Sequence, residues 1–373
     1  MKKSLAFLDN VPLPSASADA LLSNGIPNDY LMWGLYLDVS FRDVIAVAGA
    51  ASIPFGSPTT FIERITVEGQ LLGRGRVTVI DLSGRQLWQY VRSVMGQVGY
   101  VNADDLVADA GAIATYDIRI GYLIPFVSFG SVDMERATLL PGNMFSNPLT
   151  LRIRRGGLES IAVNAGTTTQ TFSAFGSGAG NPSVNVSRII IREGLGMPQR
   201  APLLCQKSRQ GPFTLTSSVT DGLLGRLNVG NLIARLHLQQ GTAETDTGQN
   251  GELASGSYAL VTRYRIKQNQ NVIRDVIPRD QGYVGAFLRG VNFYGDAELT
   301  IQAPQAQTGG FLRGERVGES LFDFCPDGSL DDALNTVLWA QQGQNLLING
   351  DVVGAANQQL EAITEELSPL VVS

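Results

Sequence analysis

Lysine is nearly missing from this sequence. It occurs only at Lys2, Lys3, Lys207 and Lys267, and the remaining cations are arginines. Charge of either sign is scarce, at 17% of residues, where an ordinary soluble domain carries about 25%. With 28 Lys and Arg against 34 Asp and Glu the net charge is −6, which argues against a basic shell gripping nucleic acid. A thinly charged surface suits a chain covered by neighbours. Arginine, weakly hydrated and able to pair bidentately, is the cation that interfaces tolerate. GC-rich coding accounts for the arginine bias equally well.

Cysteine is almost absent too. Cys205 and Cys325 form no CxxC pair, so neither a disulfide scaffold nor a zinc ribbon is indicated, and both are expected to be buried, reduced and inert. No run reaches the 18 apolar residues of a membrane-spanning helix. Met1–Asn10 carries two lysines, but its apolar run Leu5–Leu8 stops at Asp9, which does not read as a secretory leader. Folding in a reducing cytoplasm is the expectation.

Catalytic motifs are missing as well. There is one histidine, His237, placed on the polar face of an expected strand, where it reads as a surface or interface residue. A zinc site needs three or four ligands and a Ser-His-Asp triad would have to use this histidine, but no GxSxG elbow exists. Gly176–Gly180 reads as a flexible stretch, and no GxxxxGK[ST] or GxGxxG is present. Asp246–Glu252 resembles a calcium loop loosely, but lacks an oxygen ligand at its third position and has Ser257 where the bidentate Glu belongs. Asp331 and Asp332 are explained by a helix start capped by Ser329, and the sequon at Asn185 matters only in a secreted chain. The expectation is a non-enzyme, with no catalytic, cofactor or metal residues and no small-molecule substrate.

What the sequence does contain is period-2 alternation. Ile118, Ile120, Tyr122 and Ile124 share one face, and Pro125-Phe126 ends the run. A Pro/Gly/Asn-rich excursion follows, and then Leu149, Leu151 and Ile153 alternate with Thr150, Arg152 and Arg154. The excursion is too long for a tight hairpin, so the two strands suit a Greek-key or jelly-roll sandwich. A fainter copy, Leu321–Phe324 then Leu346–Ile348, has nearly the same spacing, and both internal duplication and coincidence remain open readings. Other strands are expected at Leu31–Val39, Phe61–Val67, Val77–Val79, Ile189–Ile191, Leu232–Leu238, Tyr258–Ile266 and Ala297–Ile301. The clearest helix begins at Ser83, whose capping box with Gln86 precedes the apolar stripe Leu87, Trp88, Val91, Val94 and Met95, and Gly96 closes it. Gln268–Ile277, Leu330–Leu334 and Gln358–Glu366 read as short helices. Strands in both halves without βα alternation mean an all-β chain.

In their order, Leu31–Val39, the helix Gly84–Met95, Tyr122–Phe126, Leu139–Gly142, Leu149–Ile153 and Leu321–Asp332 make the chain resemble the double jelly-roll major capsid proteins of tailless icosahedral viruses, the lineage of tectiviruses, corticoviruses and adenovirus hexon. The resemblance implies two jelly-roll β-sandwiches in tandem with a few short helices. The expected division is an N-terminal arm at 1–29, a first roll at 30–166, a linker at 167–186, a second roll at 187–353 and a C-terminal helix or tail at 354–373. It further implies a major capsid protein of a virus, a bacteriophage by expectation, made in the host cytoplasm and located in the virion. Its partners would be itself, as pseudo-hexagonal homotrimers and neighbouring capsomers, with penton and minor capsid proteins. An internal lipid membrane or packaged genome would lie beneath the shell. The alternative is a β-sandwich receptor- or carbohydrate-binding module such as a spike. A β-sandwich glycosidase needs a carboxylate pair that no aromatic-rich strand supplies.

Overall fold

The computed structural model describes residues 2–14, 16, 18–47, 61–95, 113–129, 132–156, 168–193, 203–215, 218–227, 230–242, 261–278, 319–324, 338–339, 345–353 and 358–370. The expectations at Gly96, Ala297–Ile301, Cys325, Ser329, Leu330–Leu334 with Asp331 and Asp332, and Asp246–Glu252 lie outside them.

The first half supplies strands β1 (Lys2–Pro12), β2 (Ala20–Leu21), β3 (Leu31–Val47), β4 (Ile62–Leu71), β5 (Gly75–Leu82), β6 (Ile113–Pro125), β7 (Leu140–Pro141), β8 (Thr150–Arg155), β9 (Thr168–Ser173) and β10 (Ser183–Glu193), with helices α1 (Gly84–Met95) and α2 (Val132–Ala137). The second supplies β11 (Leu203–Leu215), β12 (Val219–Leu227), β13 (Leu232–Thr242), β14 (Val261–Gln268), β15 (Asn271–Val276), β16 (Glu319–Asp323), β17 (Leu338–Trp339), β18 (Leu346–Val352) and β19 (Gln358–Pro369).

Three sheets make two sandwiches. One sheet runs β1-β10-β3-β6, with β7 and β9 also on β3. A second runs β12-β18-β14-β15. Between them stretches one long sheet, β16-β13-β19-β11-β5-β4-β8-β2. Its β5-β4-β8 portion faces the first sheet across a core of Leu35, Leu37, Val39, Phe41, Ile65, Val67, Ile118, Ile120 and Ile124. Its β13-β19-β11 portion faces the second across Ile233, Leu236, Leu238, Tyr264, Ile266, Phe322 and Ile348. The alternating apolar positions read from the sequence are the ones that fill these cores, since successive side chains point to opposite sheet faces. In each half the two strands of the suspected repeat are divided between facing sheets: β6 and β8 in one, β16 and β18 in the other.

The two halves are one hydrogen-bonded body. β11 lies parallel to β5, with Lys207 opposite Ile80 and Ser208 opposite Asp81. Leu204 and Ile363, from late in the chain, sit in the first core.

Several expectations need correcting. Lys2–Pro12, placed in an irregular arm, is a strand paired along β10 from Lys2↔Glu193 to Pro12↔Ser183. Lys3 fixes its start: the ammonium lies 4.0 Å from the centre of the Trp33 ring and 3.2 Å from Glu135, which also accepts from Trp33 Nε1 at 3.1 Å. The expected linker contains β9, and its glycine run is a tight turn, with Gly176 and Gly180 at positive φ and the Gly176 amide bonded to Asp117 at 2.9 Å. The segment holding Ile189 and Ile191 pairs with β3 of the first sandwich rather than opening a second unit. Gln268–Ile277 is no helix. It contains a hairpin turn at Asn269, whose φ of 56° is the left-handed value asparagine tolerates, followed by β15. Gln358–Glu366 is likewise strand, because β11 and β13 flank it and take both its edges. Backbone pairing on two sides overrides the helix propensity of its glutamines and glutamates.

The helix α1 is as expected. The Ser83 amide donates to Gln86 Oε1 at 3.0 Å and the Gln86 amide donates to Ser83 Oγ at 3.1 Å, closing the capping box. Leu87 and Val91 enter the first core, and half-buried Trp88 meets Tyr122 edge-on at 6.1 Å.

Close packing between β3 and β6 depends on Gly34. A Cβ there would stand 2.3 Å from the Ile124 carbonyl oxygen, which is backbone and cannot swing aside. Gly34→Ala should therefore destabilise the chain by about 1–3 kcal/mol through overpacking, read as a lowered denaturation midpoint. An unchanged midpoint would show that the two strands have slack.

Candidate functional site: the charged seam between the sandwiches

The site is built by one face of β11, β19 and β13 meeting one face of α1 and the Pro125–Phe129 turn. Cross-strand register sets it up. Lys207 on β11 stands directly opposite Glu365 on β19, and Arg235 on β13 stands opposite Glu365 from the other side. All three side chains are buried, Lys207 and Glu365 completely.

Each buried charge is met by several partners. Arg235 Nη1 donates to Glu365 Oε1 at 2.9 Å and to Ser128 Oγ at 3.0 Å, its Nε donates to Asp323 Oδ2 at 3.0 Å, and Nη2 donates to the Phe129 carbonyl. Lys207 Nζ donates to the carbonyls of Pro125 at 3.0 Å and Val127 at 2.9 Å, lies 3.2 Å from Cys205 Sγ, and stands 3.9 Å from Glu365 Oε2. Tyr90 and Ser128 donate their hydroxyls to the Glu365 carboxyl. Two cations thus face two carboxylates in a dry setting, the condition under which buried charges are tolerated.

Helix α1 docks on the seam by a polar stripe at i, i+4 and i+7. Gln86 Nε2 donates to Glu361 at 2.7 Å, Tyr90 reaches Glu365, and Ser93 Oγ lies 3.3 Å from His237 Nε2. The helix is therefore apolar toward the first core and polar toward the second sandwich. His237, expected at a surface or an interface, is wholly buried between β13 and α1, with Gln239 Nε2 3.2 Å from its Nδ1 and the Tyr90 ring 6.3 Å away. The correction has a simple cause. Both faces of β13 are covered, one by the second core and one by α1, so its polar face is not a wet face. Cys205 is buried and free, as expected, in an apolar cluster with Met134, Leu203 and Leu367.

Burial pushes the Glu365 carboxyl well above its ordinary value. Arg235 pulls the other way, but Asp323 shares that guanidinium, and loss of water dominates at a carboxyl with no exposed surface. Burial likewise pulls the Lys207 ammonium below its ordinary value, with nearby Arg235 adding to the effect and Cys205 opposing it. These shifts arise from holding the two sandwiches together. Among the described residues, no group of three or more His, Cys, Asp or Glu side chains is placed to hold a metal ion. Among the described residues, no helix is long and apolar enough to cross a membrane. Nothing in the single-sequence pattern marks Lys207, Arg235 and Glu365 as partners.

Two outcomes follow. Arg235→Met leaves Glu365 and Asp323 without their shared cation and should cost about 3–5 kcal/mol of stability by chemical denaturation; a loss below 1 kcal/mol would mean the seam is wet. Glu365→Gln should change the pH profile. A carboxyl whose folded pKa is raised contributes stability below its ordinary 4.5 that is lost as pH rises through the folded value. The stability of the Gln variant relative to wild type should therefore improve as pH rises above 4.5, and parallel profiles would contradict the raised value.

Comparison with known proteins places this geometry. No family model matches the sequence, and no curated protein matches it. Solved structures do. The major capsid protein of STIV, the Sulfolobus Turreted Icosahedral Virus, is similar at a TM-score of 0.60 with 14% identity, covering 98% of this chain and 96% of that one. The major capsid protein P2 of bacteriophage PM2 aligns at 0.51 with 12% identity, covering 99% and 98%. The Faustovirus major capsid protein aligns at 0.52 with 7% identity, covering 100% and 91%. Two β-sandwiches joined through one sheet, spanning nearly the whole chain, give this protein the double jelly-roll fold of these viral major capsid proteins.

Proposed function

We propose that this chain is a major capsid protein, which tiles an icosahedral shell as homotrimers whose six jelly rolls give a pseudo-hexagonal outline. The observation that carries the reading is the end-to-end match of both sandwiches to capsid proteins of three unlike viruses, at identities of 7–14%, where shared architecture outlasts sequence. The charged seam fits such a tile. It fixes one roll against the other, so three chains can present six wedges of constant angle.

The surface also suits association. The free face of edge strand β1 leaves Leu5 59% and Phe7 65% exposed, and Tyr36, Leu123 and Ile189 lie half-buried on the same sheet. An open strand edge beside apolar side chains is a pairing hazard in a monomer and is normally covered. A bacteriophage host, penton and minor-protein partners, synthesis in the host cytoplasm, and a membrane or genome beneath the shell belong to the same proposal. So does a structural rather than enzymatic role. A carbohydrate-binding module gains no support, because Phe41, Phe61, Tyr90, Tyr122 and Tyr264 are buried rather than lining a groove.

Light scattering coupled to size exclusion should report three times the chain mass, persisting on dilution, and purified protein concentrated at assembly salt should give hexagonally packed arrays by negative stain. A stable monomer that forms no arrays would overturn the reading.

A further inference from the structure

We propose that the outer face of the β5-β4-β8-β2 sheet portion holds a binding site for a small tetrahedral oxyanion, phosphate in kind, centred on Arg152. This site lies away from the buried seam and does not depend on the capsid reading.

Four arginines crowd this face: Arg64 on β4, Arg76 on β5, and Arg152 and Arg154 on β8. Three carboxylates answer them. Asp81 takes Arg64 bidentately at 2.7 and 2.9 Å, Glu68 takes Arg76, and Asp19 takes Arg154 at 2.9 Å. Each carboxylate is thereby hydrogen-bonded to another arginine, and Arg152 has only longer ion pairs with Asp19 and Glu68. Arg152 stands 3.8 Å from both Asp19 and Glu68, too far for a hydrogen bond to either. Its Nε is buried and meets no acceptor.

Arg152 opens onto a cleft of about 100 Å³ lined also by Asp19, Arg64, Thr66, Glu68 and Arg76. A buried donor without an acceptor is uncommon, and guanidinium donors are strongly satisfied by oxyanions. The donors come from three adjacent strands, so they approach the cleft from several sides. A planar carboxylate presents two oxygens in one plane and fits a single guanidinium fork. A tetrahedral oxyanion offers oxygens toward Arg64, Arg76 and Arg152 at once, with the Thr66 hydroxyl beside them. The volume exceeds the roughly 30 Å³ share of one water and leaves room for a phosphate. One added anion also offsets the net +1 of four arginines against three carboxylates. The bound group would tie β5, β4 and β8 together and, through Asp19, secure the two-residue strand β2 on its partner β8.

The test uses the full-length protein titrated with inorganic phosphate by calorimetry, at constant pH and at ionic strength matched with sodium chloride, and with sodium acetate as the planar comparison. Saturable binding of phosphate and none of acetate is expected. Arg152→Met should weaken phosphate binding by at least about tenfold, while Arg263→Met, on the other outer sheet, should leave it unchanged. Thermal midpoints in the same buffers serve as a second readout: wild type should gain stability with phosphate concentration, as any native-state ligand requires, and the Arg152→Met protein should not. Absence of saturable heat, equal binding of acetate, or an unweakened Arg152→Met variant would each overturn the proposal.

Discussion

A glutamate that water cannot reach determines how this molecule is put together. Glu365 is completely buried, and its carboxyl is held by Arg235, Tyr90 and Ser128 with Lys207 close by. Those partners come from β13, α1, the turn after β6, and β11. An ionised or strongly polar group in a low-dielectric interior has few acceptable surroundings, and displacing any partner leaves a charge or a donor stranded. The cluster therefore acts as a geometric specification. Apolar contacts would also hold the sandwiches together, but they tolerate sliding, whereas a multiply bonded carboxyl does not. A parallel strand pair between the halves, β11 on β5, adds a backbone constraint to the side-chain one.

Much of the fold was legible because water touches one side of it. β3 and β6 show clean alternation since their inward residues, such as Leu35, Leu37, Ile118 and Ile120, fill the first core while Asp38, Ser40 and Arg119 face outward. Helix α1 announced itself through Ser83 and Gln86, whose reciprocal bonds are local and need nothing from the rest of the chain. One misreading, β19, falls where both faces of a strand are covered, whereas β1 and β15, also misread, each keep an exposed face. β19 carries Leu360 and Ala362 toward the second core and Glu361 and Glu365 toward α1, so its polarity does not alternate with exposure, and Gln358–Glu366 looks like a helix. His237 sits on a strand of the same kind, its polar face covered by α1 rather than by water.

The seam itself was not readable from one sequence. Lys207, Arg235 and Glu365 are far apart along the chain, and only strand register brings them face to face. The polar stripe Gln86, Tyr90 and Ser93 lay in plain view on α1. Its meaning required knowing that a second sandwich, rather than solvent, lies on that side. The resemblance to capsid proteins, carried by stretches over about half of the sequence, survived because it rested on the order of elements rather than on any single motif.

The position of β19 has a consequence for how the protein is made. Synthesis runs from the N-terminus, and domains begin to fold as they emerge. β1 and β3 can acquire their shared neighbour β10 only when residues 183–193 appear. The polar stripe of α1 must wait far longer, until the closing strand Gln358–Pro369 delivers Glu361 and Glu365. Until then the polar stripe of α1 lacks these partners, and β19, which joins β11 to β13 in the long sheet, is made after the other described strands. A chain stopped short of it has a gap between β11 and β13 in the middle of that sheet. Closure of the seam thus waits on residues 358–369, and a chain that has not reached them lacks the contacts that join α1 to the second sandwich.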